Sequence, residues 1–525
     1  MVTGSSYLLE ADGKKILVDC GMFQGSKADK ELNFLDFPYD PGSIDCVLLT
    51  HAHIDHSGRL PRLCNMGFKG KIYTTRISAD LCGIMLPDSG HIQEFEAEIA
   101  NRKGKRAGKR PMEPLYTVDD AYNCLKQFYP VEYHSKTYIT PNIAVQFRDA
   151  GHILGSSMLE VWITEQHNTE KFVFSGDLGQ PDQPIIQDPE YIEEADYVII
   201  ESTYGNRNHV HYDKEEVLGR IINDTLKRGG NIVIPAFAVG RTQTILYYLH
   251  KLIKAGKIPD IPVIIDSPLA ISATDIFMHH TEVYDREALD IYNKEHDNPL
   301  HLPHLTFTRT AEESKALNFL DKPAIIISAS GMADAGRILH HLKHNLWRPE
   351  SSVLFVGYQA EGSLGRRLLE GVRKVKIMGE EISVKATIYN LDGFSAHADQ
   401  LQLINWLSHF KKSPAIFIVH GEPAASEPFS TLIHERLNYS TYIPQYGDRI
   451  EIEGSKWQVE KSTVETKPDI AKLHEYLDRL EHEYDSYRTQ IERLVAEDRS
   501  KLPEAIAGLE KIEELIKKAI RDSRS

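Results

Sequence analysis

The stretch Leu48-Leu49-Thr50-His51-Ala52-His53-Ile54-Asp55-His56-Ser57-Gly58 joins an apolar run to three histidines and a carboxylate. The apolar residues 46–49 predict a buried strand, and Ser57-Gly58 with Pro61 predicts a turn into a helix. Residues two apart lie on the same side of an extended segment, so His51 and His53 can share one metal ion. The turn lets Asp55 and His56 aim at a second ion nearby. Imidazole and carboxylate donors without a thiolate favour zinc in an open, catalytic site.

The composition is that of an ordinary globular protein. The 525 residues predict about two to four domains. No apolar run is long enough to cross a bilayer and the N-terminus lacks the features of a signal peptide, so we expect no membrane association. The five cysteines show no CxxC spacing, which predicts reduced thiols in a cytoplasmic protein.

The charge pattern limits how the chain meets nucleic acid. A net charge of −16 argues against non-specific binding over the whole surface. The basic segment 102–110 offers either a local nucleic-acid contact or a solvated loop.

Three further segments place a polar residue beside glycine at the end of a predicted strand. They are Asp149-Ala150-Gly151-His152, Ser175-Gly176-Asp177 and Val419-His420-Gly421. Each is weak alone, because a histidine beside glycine is usually a loop residue. Together, and in this order after the histidine-rich stretch, they resemble the metal-ligand set of the metallo-β-lactamase superfamily.

Two longer motifs complete the pattern. Glu201-Ser202-Thr203-Tyr204-Gly205 follows a predicted strand, and Asp392-Gly393-Phe394-Ser395-Ala396-His397-Ala398-Asp399 precedes a predicted helix. With the segments above, they resemble the β-CASP family of the metallo-β-lactamase superfamily, whose members process RNA and DNA. The histidine at position 420 is similar to the RNA-processing branch, which includes the pre-mRNA 3′-end-processing endonuclease and its bacterial and archaeal relatives. The resemblance covers about residues 2–460.

The resemblance implies an α/β fold, an αββα metallo-β-lactamase sandwich interrupted by an α/β β-CASP domain. We expect metallo-β-lactamase parts at 1–205 and 378–462, with the β-CASP domain at 206–377. Apolar residues at three- and four-residue steps predict a coiled-coil-like helical hairpin over 463–525. This tail would pack on the parent domain or pair with a second subunit, so a homodimer through the tail or the inserted domain stays open. Family members usually begin with a strand before the equivalent of residue 3, and the sequence leaves open whether this edge strand is missing here.

Roles for the site residues also follow from the resemblance. Two zinc ions would be bridged by Asp177. The other implied ligands of the first ion are His51, His53 and His152. Those of the second ion are Asp55, His56 and His420. Asp19 would accept a hydrogen bond from a ligand histidine and orient it.

The implied reaction is hydrolysis of single-stranded RNA. A hydroxide between the zinc ions would attack phosphorus, and His397, held by Glu201, would protonate the leaving 3′ oxygen. The alternative is that His397 and Glu201 form only a structural pair at the domain junction. Glycine-rich turns and helix starts suggest phosphate contacts, although each residue is equally a cap or turn residue. These candidate contacts are Arg241, Ser330, Gly331 and Ser395.

Other functions stay open at this stage. They are a nuclease acting on DNA, a metallo-β-lactamase-type hydrolase of thioesters or lactones, and a non-catalytic scaffold subunit. Endonuclease and 5′-exonuclease activity cannot be separated by spacing. Six histidines outside the motifs are predicted to be surface or helix residues: His209, His211, His279, His280, His340 and His341.

Overall fold

A computed structural model of the chain describes residues 3–462, except 26, 107, 109, 166–167, 211, 296, 321, 361, 392 and 455, together with 488, 500, 502–503, 506–509 and 511. The helical hairpin predicted over 463–525 therefore lies outside the described residues, apart from those isolated positions. The same holds for His211.

The described elements alternate between strands and helices along the chain. The strands are β1 (Tyr7–Ala11), β2 (Lys14–Val18), β3 (Cys46–Leu48), β4 (Lys71–Thr75), β5 (Phe128–Val131), β6 (Thr137–Thr140), β7 (Ile143–Asp149), β8 (Ser157–Glu165), β9 (Asn168–Phe174), β10 (Tyr197–Glu201), β11 (Ile232–Pro235), β12 (Val263–Ile265), β13 (Leu305–Phe307), β14 (Ile325–Ser328), β15 (Ser352–Phe355), β16 (Lys374–Ile377), β17 (Glu380–Ser383), β18 (Thr387–Asn390), β19 (Ala415–Val419), β20 (Thr441–Tyr442), β21 (Arg449–Glu453) and β22 (Lys456–Glu460).

The helices are α1 (Lys27–Leu32), α2 (Ile54–Ser57), α3 (Leu60–Asn65), α4 (Arg76–Arg106), α5 (Val118–Leu125), α6 (Lys214–Lys227), α7 (Arg241–Lys254), α8 (Pro268–His279), α9 (Arg286–Glu295), α10 (Ala311–Ala316), α11 (Ile338–Asn345), α12 (Leu364–Leu369), α13 (Gln400–Leu407) and α14 (Pro423–Leu437). Short 3-10 helices occur at Pro41–Ser43, Thr281–Val283 and Leu317–Phe319.

Two sheets form a sandwich. The first has the order β1-β2-β3-β4-β5 and the second the order β20-β19-β10-β9-β8-β7-β6. Apolar side chains from both sheets fill the core between them, among them Val18, Leu48, Val161 and Phe174. Helices α13 and α14 pack on the outer face of the second sheet, and α3 to α5 pack on the first. This is the expected αββα arrangement.

Strand β3 shows why this arrangement follows from the sequence. Its side chains alternate between faces, so Leu48 enters the core between the sheets while Val47 packs with Leu60 and Leu63 under the helices. A strand covered on both faces reads as a continuous apolar run. It ends at the histidine-rich stretch.

The chain between β10 and β19 builds a third sheet, in which every pair of neighbouring strands is parallel. Its order is β13-β12-β14-β11-β15-β18. Helices cover both faces, so the sheet belongs to an inserted α/β unit.

One strand differs from the expectation. The expected second metallo-β-lactamase part, 378–462, includes residues 384–389, but β18 pairs with β15 of the inserted sheet. The reason is burial, because Ile388 packs there on a core that includes Val353 and Phe355. The inserted sheet thus extends beyond residue 377, and the domain boundaries given above stay predictions.

Contacts join the inserted unit to the sandwich. His280 Nε2 lies 2.9 Å from Asp80 Oδ2 of α4, and the Ile185 amide donates to Asp285 Oδ2 over 3.0 Å.

Within the described residues, no helix combines the length and the apolar character that crossing a membrane requires.

Candidate metal centre and active site

The candidate site lies where several strands of the sandwich end. Strand β10 runs parallel to β9 and to β19, so the carboxyl ends of all three meet at one edge. Their polar ends are Glu201, Asp177 and His420, and the histidine-rich stretch follows β3 of the facing sheet and brings its donor atoms to the same place. The turn between β7 and β8 adds His152. Strand pairing within the second sheet, together with packing of the first sheet against it, therefore brings together residues up to 369 positions apart.

The first donor set consists of His51, His53, His152 and Asp177. His53 Nδ1 lies 3.1 Å from His51 Nε2 and 3.2 Å from His152 Nε2. Asp177 Oδ2 lies 3.5 Å from each of those two Nε2 atoms. Four donor atoms thus converge on one point.

The second donor set consists of Asp55, His56 and His420, with the other oxygen of Asp177. His420 Nε2 lies 3.2 Å from His56 Nε2 and 3.4 Å from Asp55 Oδ2. Asp177 Oδ1 lies 3.1 Å from His56 Nε2 and 3.6 Å from His420 Nε2. Asp177 therefore offers one carboxylate oxygen to each set.

The chemistry of these donors fits divalent metal ions. Burial lowers the pKa of His51 to about 3 and also lowers the pKa of His152, which keeps both imidazoles neutral, as ligands must be. Asp177 Oδ1 is buried and has no well-aligned hydrogen-bond donor among the described residues. A buried carboxylate oxygen surrounded by imidazole nitrogens is what a metal ion would satisfy.

Asp19 holds one ligand in place. Its Oδ2 lies 2.8 Å from His56 Nδ1, and its carboxylate accepts hydrogen bonds from the backbone and hydroxyl of Thr50. Asp19 and His420 both adopt left-handed backbone conformations, with φ of 57° and 49°. Such conformations are uncommon outside glycine and cluster at functional sites. Gly21 allows close packing here, because a β-carbon on it would lie 1.6 Å from the Asp55 carbonyl oxygen.

His397 and Glu201 form a pair beside the donor sets. His397 Nδ1 lies 3.1 Å from Glu201 Oε1 and 4.0 Å from Asp177 Oδ2. Burial alone would lower the pKa of His397, but the charges of Glu201 and Asp177 raise it to about 10. Glu201 is fully buried and also accepts a hydrogen bond from the Leu178 amide over 2.6 Å. The imidazole is thus held in a fixed position and in its protonated form.

The candidate phosphate contacts lie in different places. Ser395 is beside the pair, since its hydroxyl accepts a hydrogen bond from the His397 amide over 3.3 Å. Arg241 begins α7, with its guanidinium 5.7 Å from the Phe394 ring. Ser330 and Gly331 lie on the loop after β14, at the edge of the inserted sheet.

Several residues beside the site were not found from the sequence. Thr203 Oγ1 lies 3.2 Å from His420 Nδ1, and Thr50 Oγ1 lies 3.0 Å from His51 Nδ1. His209 is predicted to lie on the surface or in a helix. Its Nε2 instead lies 2.9 Å from the carbonyl oxygen of His397. The nearness of His209 to the Glu201 motif was the only sequence signal. His341 lies on α11 as a helix residue, but it is buried against Asp266.

Comparison with protein families gives three matches along the chain. The model of the Metallo-beta-lactamase superfamily matches residues 2–85, that of the Beta-Casp domain residues 242–368, and that of the Zn-dependent metallo-hydrolase RNA specificity domain residues 381–444.

Curated relatives match over most of the chain. Ribonuclease TTHA0252 of Thermus thermophilus is 36% identical over 423 residues, which cover 80% of this chain and 91% of that protein. Transcription termination factor FttA of Methanocaldococcus jannaschii is 31% identical over 460 residues, covering 85% of this chain and 69% of that protein. The factor of the same name from Pyrococcus abyssi is 32% identical over 466 residues, with the same coverage.

Proposed function

The chain belongs to the β-CASP family of the metallo-β-lactamase superfamily, and we propose that it is a cytoplasmic, zinc-dependent ribonuclease acting on single-stranded RNA. The observation that carries this proposal is the position of Asp177. One oxygen of its carboxylate faces each donor set, and the His397–Glu201 pair lies directly beside it. A shared carboxylate suits a two-metal centre, and a protonated imidazole beside it suits an acid for the leaving group.

Two zinc ions per chain are proposed for these donor sets. His51, His53 and His152 would hold one ion, and Asp55, His56 and His420 the other, with Asp177 shared. When bound, such ions supply a water of lowered pKa as the nucleophile and offset the charge on the phosphate oxygens.

The protein's own acid is proposed to be His397. Because Nδ1 faces the Glu201 carboxylate, Nε2 is the atom free to donate a proton. The leaving 3′ oxygen would take that proton as the phosphodiester bond breaks, giving a 3′-hydroxyl and a 5′-phosphate. Glu201 keeps the imidazole oriented and protonated before each turnover.

The positively charged side chains of Arg241 and Lys214 support a phosphodiester as the substrate. Arg241 has a buried Nε without a hydrogen-bond partner, and neither Arg241 nor Lys214 forms an ion pair with any residue that the structure describes. Burial, and then the charge of Arg241, lower the pKa of Lys214 to about 8. Backbone phosphates of the substrate would relieve this repulsion. Ser330, Gly331 and Ser395 are proposed as further contacts to the same backbone.

RNA is favoured over DNA by two findings. Residues 381–444 match an RNA specificity domain, and one relative is named as a ribonuclease. The relatives named as transcription termination factors also suggest a role on RNA transcripts. Thioesters and lactones are less well supported, because their reacting groups are uncharged, whereas a phosphodiester carries a negative charge that these cations would offset.

The test uses the purified chain with zinc and three substrates, namely a 5′-labelled linear RNA, a circular RNA and a DNA of matched sequence. We expect cleavage of RNA that stops in chelator and exceeds cleavage of DNA. Cleavage of the circle identifies an endonuclease. Cleavage of the linear RNA alone, with the 5′ label released as a mononucleotide, identifies a 5′-exonuclease. Preference for DNA, or RNA cleavage that persists in chelator, would contradict the proposal.

A further inference from the structure

Three loops of the inserted sheet meet at one edge, outside the metal centre. Strands β14, β11 and β15 are neighbours and parallel, so the loops after them emerge side by side. These loops carry Gly331, Phe237 and Tyr358 in that order. The carboxyl edge of a parallel sheet is where ligands bind in open α/β folds.

Two aromatic rings are exposed at this edge. The exposed fraction is 45% for Phe237 and 54% for Tyr358. The Phe237 ring lies over bare backbone, since a β-carbon on Gly331 would be 3.1 Å from it and one on Gly357 3.8 Å from it. A single exposed aromatic residue needs no explanation. Two rings on adjoining loops, with glycines leaving their surroundings open, form a surface that suits a flat ligand.

Hydrogen bonds hold the three loops in place. The side-chain amide of buried Gln359 donates to the carbonyl oxygens of Gly331, Gly357 and Tyr358, over 2.9, 3.0 and 3.1 Å. The Phe237 carbonyl accepts the Thr242 hydroxyl over 2.8 Å. The backbone that carries the rings is therefore positioned before any ligand arrives, which lowers the entropic cost of binding.

A chain of contacts links these rings to the reaction centre. The Arg207 guanidinium lies 5.7 Å from the Tyr358 ring and 4.4 Å from the Tyr204 ring. The Tyr204 ring lies 6.1 Å from the His397 ring. Arg207 forms no ion pair within the part of the chain that the structure describes. Aromatic rings alternate here with an unpaired cation, as in surfaces that bind single-stranded nucleic acid.

We propose that Phe237 and Tyr358 form a base-stacking subsite that holds unpaired RNA bases on the inserted unit. Arg207 bridges from this subsite to the phosphodiester at His397. The inference rests on the proposed function and deepens it, because it assigns recognition of the bases to residues apart from the hydrolytic centre. Stacking accepts every base, so the subsite selects single strands and tolerates any sequence.

The experiment compares wild type with Phe237→Ala and Tyr358→Ala on a single-stranded RNA. We expect KM to rise about tenfold or more in each variant, with kcat nearly unchanged. Phe237→Trp and Tyr358→Phe keep a ring and should retain the wild-type KM. Phe319→Ala is the matched control, because Phe319 is 82% exposed but precedes β14, at the opposite edge of the sheet.

Two further measurements distinguish a loss of base stacking from a general loss of folded structure. Hydrolysis of bis(p-nitrophenyl) phosphate, which has no base, should be unchanged in both alanine variants. Binding of RNA labelled with 2-aminopurine should quench its fluorescence in wild type, and less in the variants. An unchanged KM and quench in both variants, or an equal loss of activity on the small substrate, would overturn the subsite. If wild type cleaves no RNA, the proposed function fails, while the 2-aminopurine measurement still decides the stacking.

Discussion

Glu201 Oε1 lies 3.1 Å from His397 Nδ1, although 196 residues separate the two along the chain. Glu201 ends β10 in the sandwich, and His397 follows the last strand of the inserted sheet. The chain therefore leaves the sandwich directly after one partner and returns to it with the other. The proposed acid His397 is therefore held by Glu201 only when both units are correctly assembled.

Replacement of His397 by alanine should slow hydrolysis without removing metal. Loss of a general acid costs about 10²- to 10⁴-fold in turnover. Metal content, measured by atomic emission on the purified protein, should equal that of wild type. His409→Ala is a matched control, because His409 is exposed and stacks on Tyr191 instead. A variant that loses its metal would contradict the assignment of His397 as the acid.

Replacement of Glu201 by glutamine should shift the pH dependence of turnover. Burial opposes protonation of His397, but the charges of Glu201 and then Asp177 raise its pKa to about 10. An acid must be protonated to act, so activity falls as pH rises through that pKa. Without the Glu201 charge the pKa drops, and the alkaline fall should begin at lower pH. Profiles of kcat against pH that coincide for the two proteins would argue against the pairing.

Replacement of Asp19 by asparagine should weaken metal binding chiefly at the second donor set. The Asp19 carboxylate fixes His56 through Nδ1, and such supporting groups contribute about 10- to 100-fold in metal affinity. Competition with a chelator measures the two affinities. Asp45→Asn serves as control, because Asp45 pairs with Lys14 away from the site. Equal weakening in both variants would contradict a specific role for Asp19.

Asp266 should stabilise the inserted unit. It is fully buried and accepts hydrogen bonds from Thr308 and Ser314 as well as the charged Arg337, while His341 Nε2 lies 2.6 Å from it. Breaking a buried charge network by removing one partner costs about 3 kcal/mol or more, so Asp266→Asn should lower the free energy of unfolding by that amount at neutral pH. Urea unfolding measures it. A variant as stable as wild type at neutral pH would contradict this role.

The pH dependence of that stability has a definite sign. Burial opposes ionisation of Asp266, but hydrogen bonds from His341, Ser314, Thr308 and Arg337 lower its pKa below the usual carboxyl value. A lowered pKa stabilises the fold above the unfolded-state pKa, and the stabilisation is lost as pH falls through the folded-state value. The difference between wild type and Asp266→Asn should therefore shrink in acid.

The strand ends explain how much of the site could be predicted. His51, His152, Asp177 and His420 each come shortly after an apolar strand, and this local pattern can be recognised in the sequence. Asp55 and His56 lie instead on α2, a few residues beyond β3. Strand β18 was assigned to the wrong sheet, because pairing partners depend on distant strands. The position of His209 beside His397 was missed for the same reason: 188 residues lie between them. Local patterns predict which residues are donors, and only the fold shows what supports them.

Zinc titration of the metal-free protein gives the most direct test of two-metal hydrolysis. Zinc is added in steps while the cleavage rate of a single-stranded RNA is measured. Activity should rise until two equivalents per chain are bound, and Asp177→Asn, which removes the shared carboxylate charge, should abolish it. Full activity at one equivalent, or in a variant lacking the Asp177 carboxylate, would contradict the two-metal mechanism.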